Sequence, residues 1–225
     1  MARPYQGYRN AAGEKVPGTT TICGIVKDSG PLVQWAYKQG CVHEQLRAQG
    51  KPAPANLYDV VGRAADIGTL AHECCEADIN GQPLPILPDD KREPVMQAFG
   101  QYLTWKRQTR LRIVGCEVPL VSERHQFGGT LDFVCEIDGV LCLGDFKTSN
   151  AVYPEHLMQL AAYRELWNEN HPDKPITGPS HLLRISKEAP DFAHHSYGDL
   201  SEAWELFSIA RRAYDLKARV KRRAA

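Results

Sequence analysis

The sequence predicts an α/β (α+β) fold in which a central mixed β-sheet is flanked by helices. Helical 3.6-residue periodicity fills much of residues 1–110 and returns at the end of the chain, whereas residues 111–197 carry two groups of strand-like alternation separated by one helix. The chain has 225 residues, 43% of them hydrophobic, which is enough to bury one core. We therefore expect a single domain over residues 1–225, with a mainly helical portion (1–110), a sheet core (111–197) and a basic C-terminal helix (198–225).

The helical portion begins after an irregular segment, residues 1–18. The hydroxyls of Thr19, Thr20 and Thr21 are predicted to cap a short helix, because threonine side chains accept hydrogen bonds from free N–H groups in a first turn. Pro31 suits the first turn of a second helix that runs towards Gly50. Further helices are predicted over about 56–78, as one helix or two, and over about 89–106.

The sheet core follows from near residue 112. Strands are predicted over 112–121, 129–137 and 140–147, then a helix over 154–169, a strand pair over 178–186 and 191–197, and a last helix over 200–223. The basic run of that last helix fits either binding to backbone phosphates or a solvated helix end.

The composition limits the class of protein. Lys and Arg number 27 and Asp and Glu number 27, so no overall field attracts nucleic acid or a membrane, and local patches must do so. No apolar stretch approaches the roughly 18 residues of a membrane helix, and the N-terminus lacks the apolar segment of a secretory signal. The seven cysteines have no framework spacing. We expect a cytoplasmic protein with reduced thiols and no membrane partner.

A tight turn carries the most informative prediction. The dipeptide Asp138-Gly139 between two apolar runs is typical of a two-residue type I′ hairpin. The pairing that this turn imposes sets Asp132 directly opposite Asp145, with their Cβ atoms roughly 4.5–5.5 Å apart. Lys147, two residues further along, shares their face.

Opposed carboxylates repel each other, so something must compensate. A shared proton, a neighbouring lysine or a divalent cation such as Mg²⁺ would do so. The simplest alternative is a solvated face on which the charges are only lightly paired. Against that alternative, Leu141, Leu143 and Val134 share the faces of the two aspartates, and the pattern favours a metal or catalytic site.

Four motifs occur in a fixed order between residues 19 and 163. They are Thr19–Ile22 followed by Trp35-Ala36, G-T-x-x-H at 68–72, G-G-T-L-D followed by D-F-K-T at 128–148, and Q-x-x-x-Y at 159–163. This set resembles the RecB-like branch of the PD-(D/E)XK nucleases, which includes many phage exonucleases. The resemblance implies a restriction-endonuclease-like core, and residues 170–225 carry no matching motif.

The resemblance also implies residue roles. Asp132, Asp145, the backbone carbonyl of Phe146 and His72 would be ligands of Mg²⁺ or Mn²⁺, and Lys147 would be the catalytic lysine. Asp132, Asp145, Lys147 and His72 therefore form the expected catalytic set.

The resemblance also implies roles for residues around the catalytic set. Gln159 and Tyr163, one helical turn apart, would contact the DNA strand, together with Thr148 after the lysine. Glu117 lies where relatives often carry an acidic residue and is a candidate for a supporting role beside the ligands.

The implied activity is that of a divalent-metal-dependent DNA exonuclease acting in phage recombination or DNA end processing, in a phage or bacterial host cell. Its partners would be single-stranded DNA or duplex ends, and a single-strand-annealing or recombination protein. Two alternatives stay open. One is a catalytically silent module that binds nucleic acid or inhibits a host nuclease, and the other is a structure-specific endonuclease.

We expect neither an iron–sulfur cluster nor a zinc site. Some RecB-like nucleases hold an iron–sulfur cluster on C-terminal cysteines, but no cysteine follows Cys142, so we expect none. Zinc is not expected either, because no C-x-x-C pair occurs. The remaining histidines have no motif spacing and are expected at the surface or in structural roles: His43, His125, His156, His171, His181, His194 and His195.

Overall fold

The computed structural model describes residues 7–53, 57–149, 151–185 and 192–224, and within them only the backbone of 31–32, 57–66 and 192. The helices are α1 (Thr19–Cys23), α2 (Gly30–Ala48), α3 (Leu57–Ile79), α4 (Asp89–Gln108), α5 (Pro154–Asn170) and α6 (Ser201–Arg223). The strands are β1 (Tyr8–Arg9), β2 (Lys15–Val16), β3 (Leu111–Ser122), β4 (Phe127–Ile137), β5 (Val140–Lys147), β6 (Ser180–Ile185) and β7 (Phe192–Tyr197).

The central sheet has five strands in the order β3-β4-β5-β6-β7. Neighbours are antiparallel except β5 and β6, which are parallel. A parallel pair needs a crossover connection, and α5 supplies it. The predicted mixed sheet with flanking helices is confirmed.

The hairpin of β4 and β5 has the predicted turn. Asp138 and Gly139 have φ values of 50° and 82°, the two positive angles that a type I′ turn requires. Ile137 pairs with Val140, and the same register continues to the pair Phe133–Gly144.

Two apolar layers cover the sheet. On one face, α5, α1 and α6 pack through residues such as Leu160, Ile22 and Phe207. On the other face, α3 and α4 pack through residues such as Cys75 and Phe99. The sheet is therefore buried on both faces, which is why β4 and β5 read as nearly continuous apolar runs. Among the helices that the structure describes, none combines the length and apolar character needed to cross a bilayer.

The start of the chain differs from the prediction. The segment expected to be irregular contains the small β1–β2 pair. The N-cap of α1 is Gly18, without a side-chain cap hydrogen bond, so the predicted threonine cap is wrong. Instead, the Thr19 hydroxyl donates to the carbonyl of Gly128 on β4 at 3.0 Å. This hydroxyl ties α1 to the sheet.

The other helices largely follow the prediction. The region from 57 to 79 is one helix, and α2 begins with Pro31 in its first turn. The predicted helix start at 56 and the predicted strand ends at 186 and 191 lie outside the described residues.

Candidate active site

The site lies where β4 and β5 separate. Their ladder pairing ends at Phe133–Gly144, one step before the two aspartates. Beyond this point the Phe146 N–H donates to Oδ2 of Asp132 at 2.9 Å. The carboxylate therefore stands where a strand would otherwise offer a main-chain acceptor, and it links the two strands at their point of separation.

Asp145 is fully buried, with 0% of its surface exposed. Within the described part of the chain, neither of its carboxylate oxygens has a well-aligned hydrogen bond, although the Lys147 ammonium forms an ion pair with Oδ2. Burial raises the pKa of Asp145 to about 7; Lys147 opposes this shift, and the negative charge of Asp132 adds to it. Buried carboxylate oxygens without donors are costly unless a ligand satisfies them.

His72 reaches the same place from α3. Its Nε2 lies 3.3 Å from the Phe146 carbonyl oxygen and 3.6 Å from Oδ2 of Asp132. Lys147 Nζ donates to that same carbonyl at 3.3 Å. The His72 side chain is 37% exposed, so the site opens to solvent on the α3 side.

We call this set the active-site cluster: His72, Asp132, Asp145, the Phe146 carbonyl and Lys147. Its oxygen atoms and single imidazole are the donor types that suit Mg²⁺ or Mn²⁺. The buried oxygens of Asp145 are the observation that fits a cation, because the Lys147 ion pair is made through Oδ2 and neither oxygen has a well-aligned hydrogen bond among the described residues. Asp132, Asp145, the Phe146 carbonyl and His72 would hold the ion.

The Phe146 side chain serves a different purpose from its carbonyl. Its ring packs in the layer under α3 and α4, with centroids 5.1 Å from Phe133, 5.3 Å from Tyr102 and 5.5 Å from His72. One residue thus joins the apolar layer to the polar site.

Glu117 on β3 stands beside the active-site cluster. The ladder pairs on either side of it are formed, which sets it opposite Asp132. Glu117 itself has a φ of 50°, a left-handed conformation that non-glycine residues rarely adopt. Such backbone outliers concentrate at functional sites, and the supporting role of Glu117 stays a prediction.

Gln159 and Tyr163 lie on α5 next to the cluster but face inward. Both are buried, and Gln159 Nε2 donates to the Tyr163 hydroxyl at 2.7 Å. Burial raises the pKa of Tyr163 well above its ordinary value, and the charges of Asp132 and Asp145 raise it further. Tyr163 lines a cavity of about 250 Å³ and Gln159 lines a second of about 220 Å³. Their predicted contact with DNA would have to be made through these cavities.

Two glycines allow the helices to approach the site. A Cβ on Gly129 would lie 2.6 Å from the Tyr163 ring and 2.7 Å from the Thr19 hydroxyl. A Cβ on Gly68 would lie 2.6 Å from the Thr148 hydroxyl. The glycine of the G-T-x-x-H motif therefore lets α3 pack on the residue that follows Lys147, and the Thr148 hydroxyl faces that helix.

Several residues near the site have no sequence feature that singles them out. Lys27 and His156 line the same cavity as Lys147 and Gln159. Neither belongs to a motif, and their proximity results from α1 packing on α5, which local patterns do not reveal.

A second group of histidine and acidic side chains was also missed. Among the described residues, one group brings three ligand atoms within 4.8 Å of one another: His125, Glu165 and Glu169, here called the turn cluster. His72, Asp132 and Asp145 are not gathered this closely. In the turn cluster, Glu169 accepts hydrogen bonds from the Ser122 hydroxyl and from the Arg124 N–H, and thus stabilises the β3–β4 turn.

Comparisons with known proteins give a structural likeness only. No family profile and no curated protein matches the sequence. An exonuclease candidate from Eubacterium rectale matches in structure with a TM-score of 0.50 and 11% identity, over 95% of this chain and 88% of that one. The alkaline exonuclease LHK-Exo from Laribacter hongkongensis matches with a TM-score of 0.37 and 14% identity, over 72% and 90% of the two chains.

At 11% identity, the first likeness shows the fold and not the activity. The chain has the α+β architecture of that protein, with helices on both faces of a five-stranded mixed sheet.

Proposed function

We propose that this protein is a divalent-metal-dependent DNA exonuclease, of the RecB-like type, that hydrolyses phosphodiester bonds in phage recombination or DNA end processing. The observation that carries the proposal is Asp145, a fully buried carboxylate without a well-aligned hydrogen bond among the described residues, beside a second aspartate and paired with a lysine. A structural ion pair alone would not require the nearby Asp132 and His72.

In this proposal each residue has a distinct task. Asp132, Asp145, the Phe146 carbonyl and His72 would hold the cation, and His72 also forms the solvent-facing side of the site. When bound, Mg²⁺ or Mn²⁺ supplies Lewis-acid polarisation of the phosphate and a lowered pKa of water. The Lys147 ammonium stabilises negative charge as it develops on the phosphate oxygens. The Phe146 N–H fixes the orientation of Asp132.

Binding of the cation would change the protonation of the site. Burial raises the pKa of Asp145 to about 7, and only its carboxylate form could hold the ion, because protons and metal ions compete for the same oxygens.

The test is hydrolysis of end-labelled linear DNA by the purified protein with Mg²⁺ or Mn²⁺, beside closed circular DNA of the same sequence. The expected result is shortening of the linear DNA, an intact circle, and no reaction with a chelator. A cut circle would identify an endonuclease. DNA binding without hydrolysis under every metal would identify a silent binding module and overturn the proposal.

A further inference from the structure

The last helix, α6, carries an apolar stripe on its solvent-exposed side. The stripe has five members, spaced alternately by three and four residues: Leu206, Ile209, Ala213, Leu216 and Val220. The exposed fraction of its large side chains ranges from 37% at Leu206 to 63% at Val220. A different side of α6 packs into the core through Phe207 and Ala210. The alternating spacing of the stripe is that of a coiled-coil seam, so it would fit against a second helix.

The C-terminal end of α6 extends beyond the body of the protein. All residues from 215 to 223 are exposed, so within the described part of the chain this end of the helix is not covered. Helices in proteins are stabilised mainly by packing of an apolar side rather than by helix propensity. Leu216 and Val220 lie on this extension and supply such a side.

The charges along the stripe are distributed unevenly. Glu202 and Glu205 lie at the N-terminal end of α6, and Arg219 and Arg223 lie at its C-terminal end. Glu205 and Arg219 are two heptads apart, so both flank the stripe on the same side. A surface that is acidic at one end and basic at the other is complementary to itself after a two-fold rotation.

We propose that α6 pairs in antiparallel orientation with α6 of a second copy of this chain, forming a two-fold symmetric dimer. In this arrangement Ala213 lies at the two-fold axis, and Leu206 packs against Val220 of the second copy. Glu205 pairs with Arg219 of the second copy at both ends of the interface. The inference does not depend on the proposed function, because no residue of the active-site cluster takes part.

Other arrangements and occupants fit this side of α6 less well. A parallel pair would bring the two basic C-terminal ends together, and like charges at flanking positions oppose pairing. DNA binds to surfaces whose cations face its phosphates. The centre of this surface is apolar instead, and Glu202 and Glu205 lie at one end of it.

The experiment measures the mass of the full chain by sedimentation velocity from about 1 to 200 μM. One pair of helices is a small contact beside the roughly 1,600 Å² of a standard interface, so we expect a micromolar Kd. The mass should rise from the 25.1 kDa of the monomer towards twice that value.

A substitution in the stripe tests the surface. Leu216→Glu would bury a carboxylate opposite Ile209 of the second copy and should weaken the dimer at least about tenfold. Leu216 is 43% exposed in the single chain, so the variant should fold normally, which circular dichroism verifies. Met96→Glu is the matched control. Met96 lies on α4, is 40% exposed and is remote from the stripe in sequence, and its substitution should leave the Kd unchanged.

Charge reversal tests the antiparallel orientation. Glu205→Arg alone, or Arg219→Glu alone, should weaken the dimer about tenfold, because each creates a like-charged contact at both ends. The double variant restores opposite charges and should recover the wild-type Kd. Arg212 would lie beside its own copy near the two-fold axis, so Arg212→Gln should tighten the dimer.

Three results would overturn the inference. The first is a wild-type protein that stays monomeric at about 200 μM, and weaker binding of duplex DNA by Arg219→Glu would then assign the helix to nucleic acid. The second is a dimer that Leu216→Glu does not weaken, because another surface would then join the copies. The third is a double charge variant that stays as weak as the single variants, which would exclude the antiparallel pairing.

Discussion

The active-site cluster and the turn cluster both combine carboxylates with a histidine, yet their carboxylates are satisfied very differently. Glu169 of the turn cluster accepts hydrogen bonds from Ser122 and Arg124, and these bonds lower its pKa even though burial opposes them. Asp145 of the active-site cluster has the Lys147 ammonium beside Oδ2 but no well-aligned hydrogen bond among the described residues, and burial raises its pKa. The two clusters therefore differ in that hydrogen bonds satisfy Glu169, whereas Asp145 depends on its ion pair with Lys147.

The largest effect on hydrolysis should come from removing a negative charge at the active-site cluster. Asp145→Asn removes the buried negative charge with little change in volume and should lower hydrolysis by at least about 10³-fold. The rate is measured on end-labelled DNA, and circular dichroism verifies the fold. Glu169→Gln is the control and should hydrolyse DNA at the wild-type rate. Equal rates for Asp145→Asn and the wild type would remove the distinction between the two clusters.

The pH dependence of hydrolysis should follow Asp145. With a pKa of about 7, the carboxyl group is protonated in acid and cannot bind the cation, so at limiting metal the rate should fall about tenfold per pH unit below 7. A higher metal concentration should move the midpoint to lower pH. Rate measurements from pH 5 to 9 at two Mn²⁺ concentrations test this prediction. The same midpoint pH at both Mn²⁺ concentrations would contradict it.

The same group should affect stability. Because the pKa of Asp145 is raised from 3.8 to about 7 in the folded protein, its protonated form stabilises the fold in acid, and this contribution is lost as the pH rises from about 4 to 7. Without metal, wild type should therefore lose up to about 4 kcal/mol relative to Asp145→Asn across that range. Urea unfolding at pH 4, 5.5 and 7 gives the difference in unfolding free energy between the two proteins. If this difference is the same at all three pH values, the pKa of Asp145 is not raised in the folded protein.

At the turn cluster the effect should be on stability alone. Glu169→Gln weakens two hydrogen bonds that hold the β3–β4 turn and should cost about 1–2 kcal/mol of unfolding free energy. Urea denaturation measures the loss, with hydrolysis per folded molecule unchanged. A stable variant with impaired hydrolysis would assign a functional role to this cluster.

The smallest effect is expected at Glu165. Its contacts with Arg124 and His125 are 3.7 and 3.6 Å long and only partly buried. Glu165→Gln should therefore change the unfolding free energy by less than about 1 kcal/mol. If added Zn²⁺ stabilised the wild type but not Glu165→Gln in thermal unfolding, the turn cluster would be a metal site after all.

Local chemistry explains which parts of the fold were predictable. Asp138-Gly139 determines its turn through backbone conformation alone, and the turn fixes the register of β4 and β5. The hydroxyl of Thr19 was misassigned because its partner, Gly128, is more than a hundred residues away. The burial of Asp145 likewise depends on packing from several elements.

The candidate site was predictable only in part for the same reason. The turn brings Asp132 and Asp145 together. The left-handed backbone of Glu117 cannot be recognised from local sequence. The same holds for the approach of Lys27 and His156 to Lys147. These features depend on how α1, α5 and β3 pack around the hairpin. The roles of the site residues remain predictions.

Phe146 contributes its backbone to the polar site and its ring to the apolar layer, so packing in that layer affects the geometry of the site. Its N–H and carbonyl contact Asp132, His72 and Lys147, while its ring is clamped among aromatic side chains of the opposite layer. Looser packing around the Phe146 ring would shift the Phe146 N–H and carbonyl, although neither group itself had been changed. The aromatic layer therefore holds the Phe146 backbone in place, and with it the polar contacts to Asp132, His72 and Lys147.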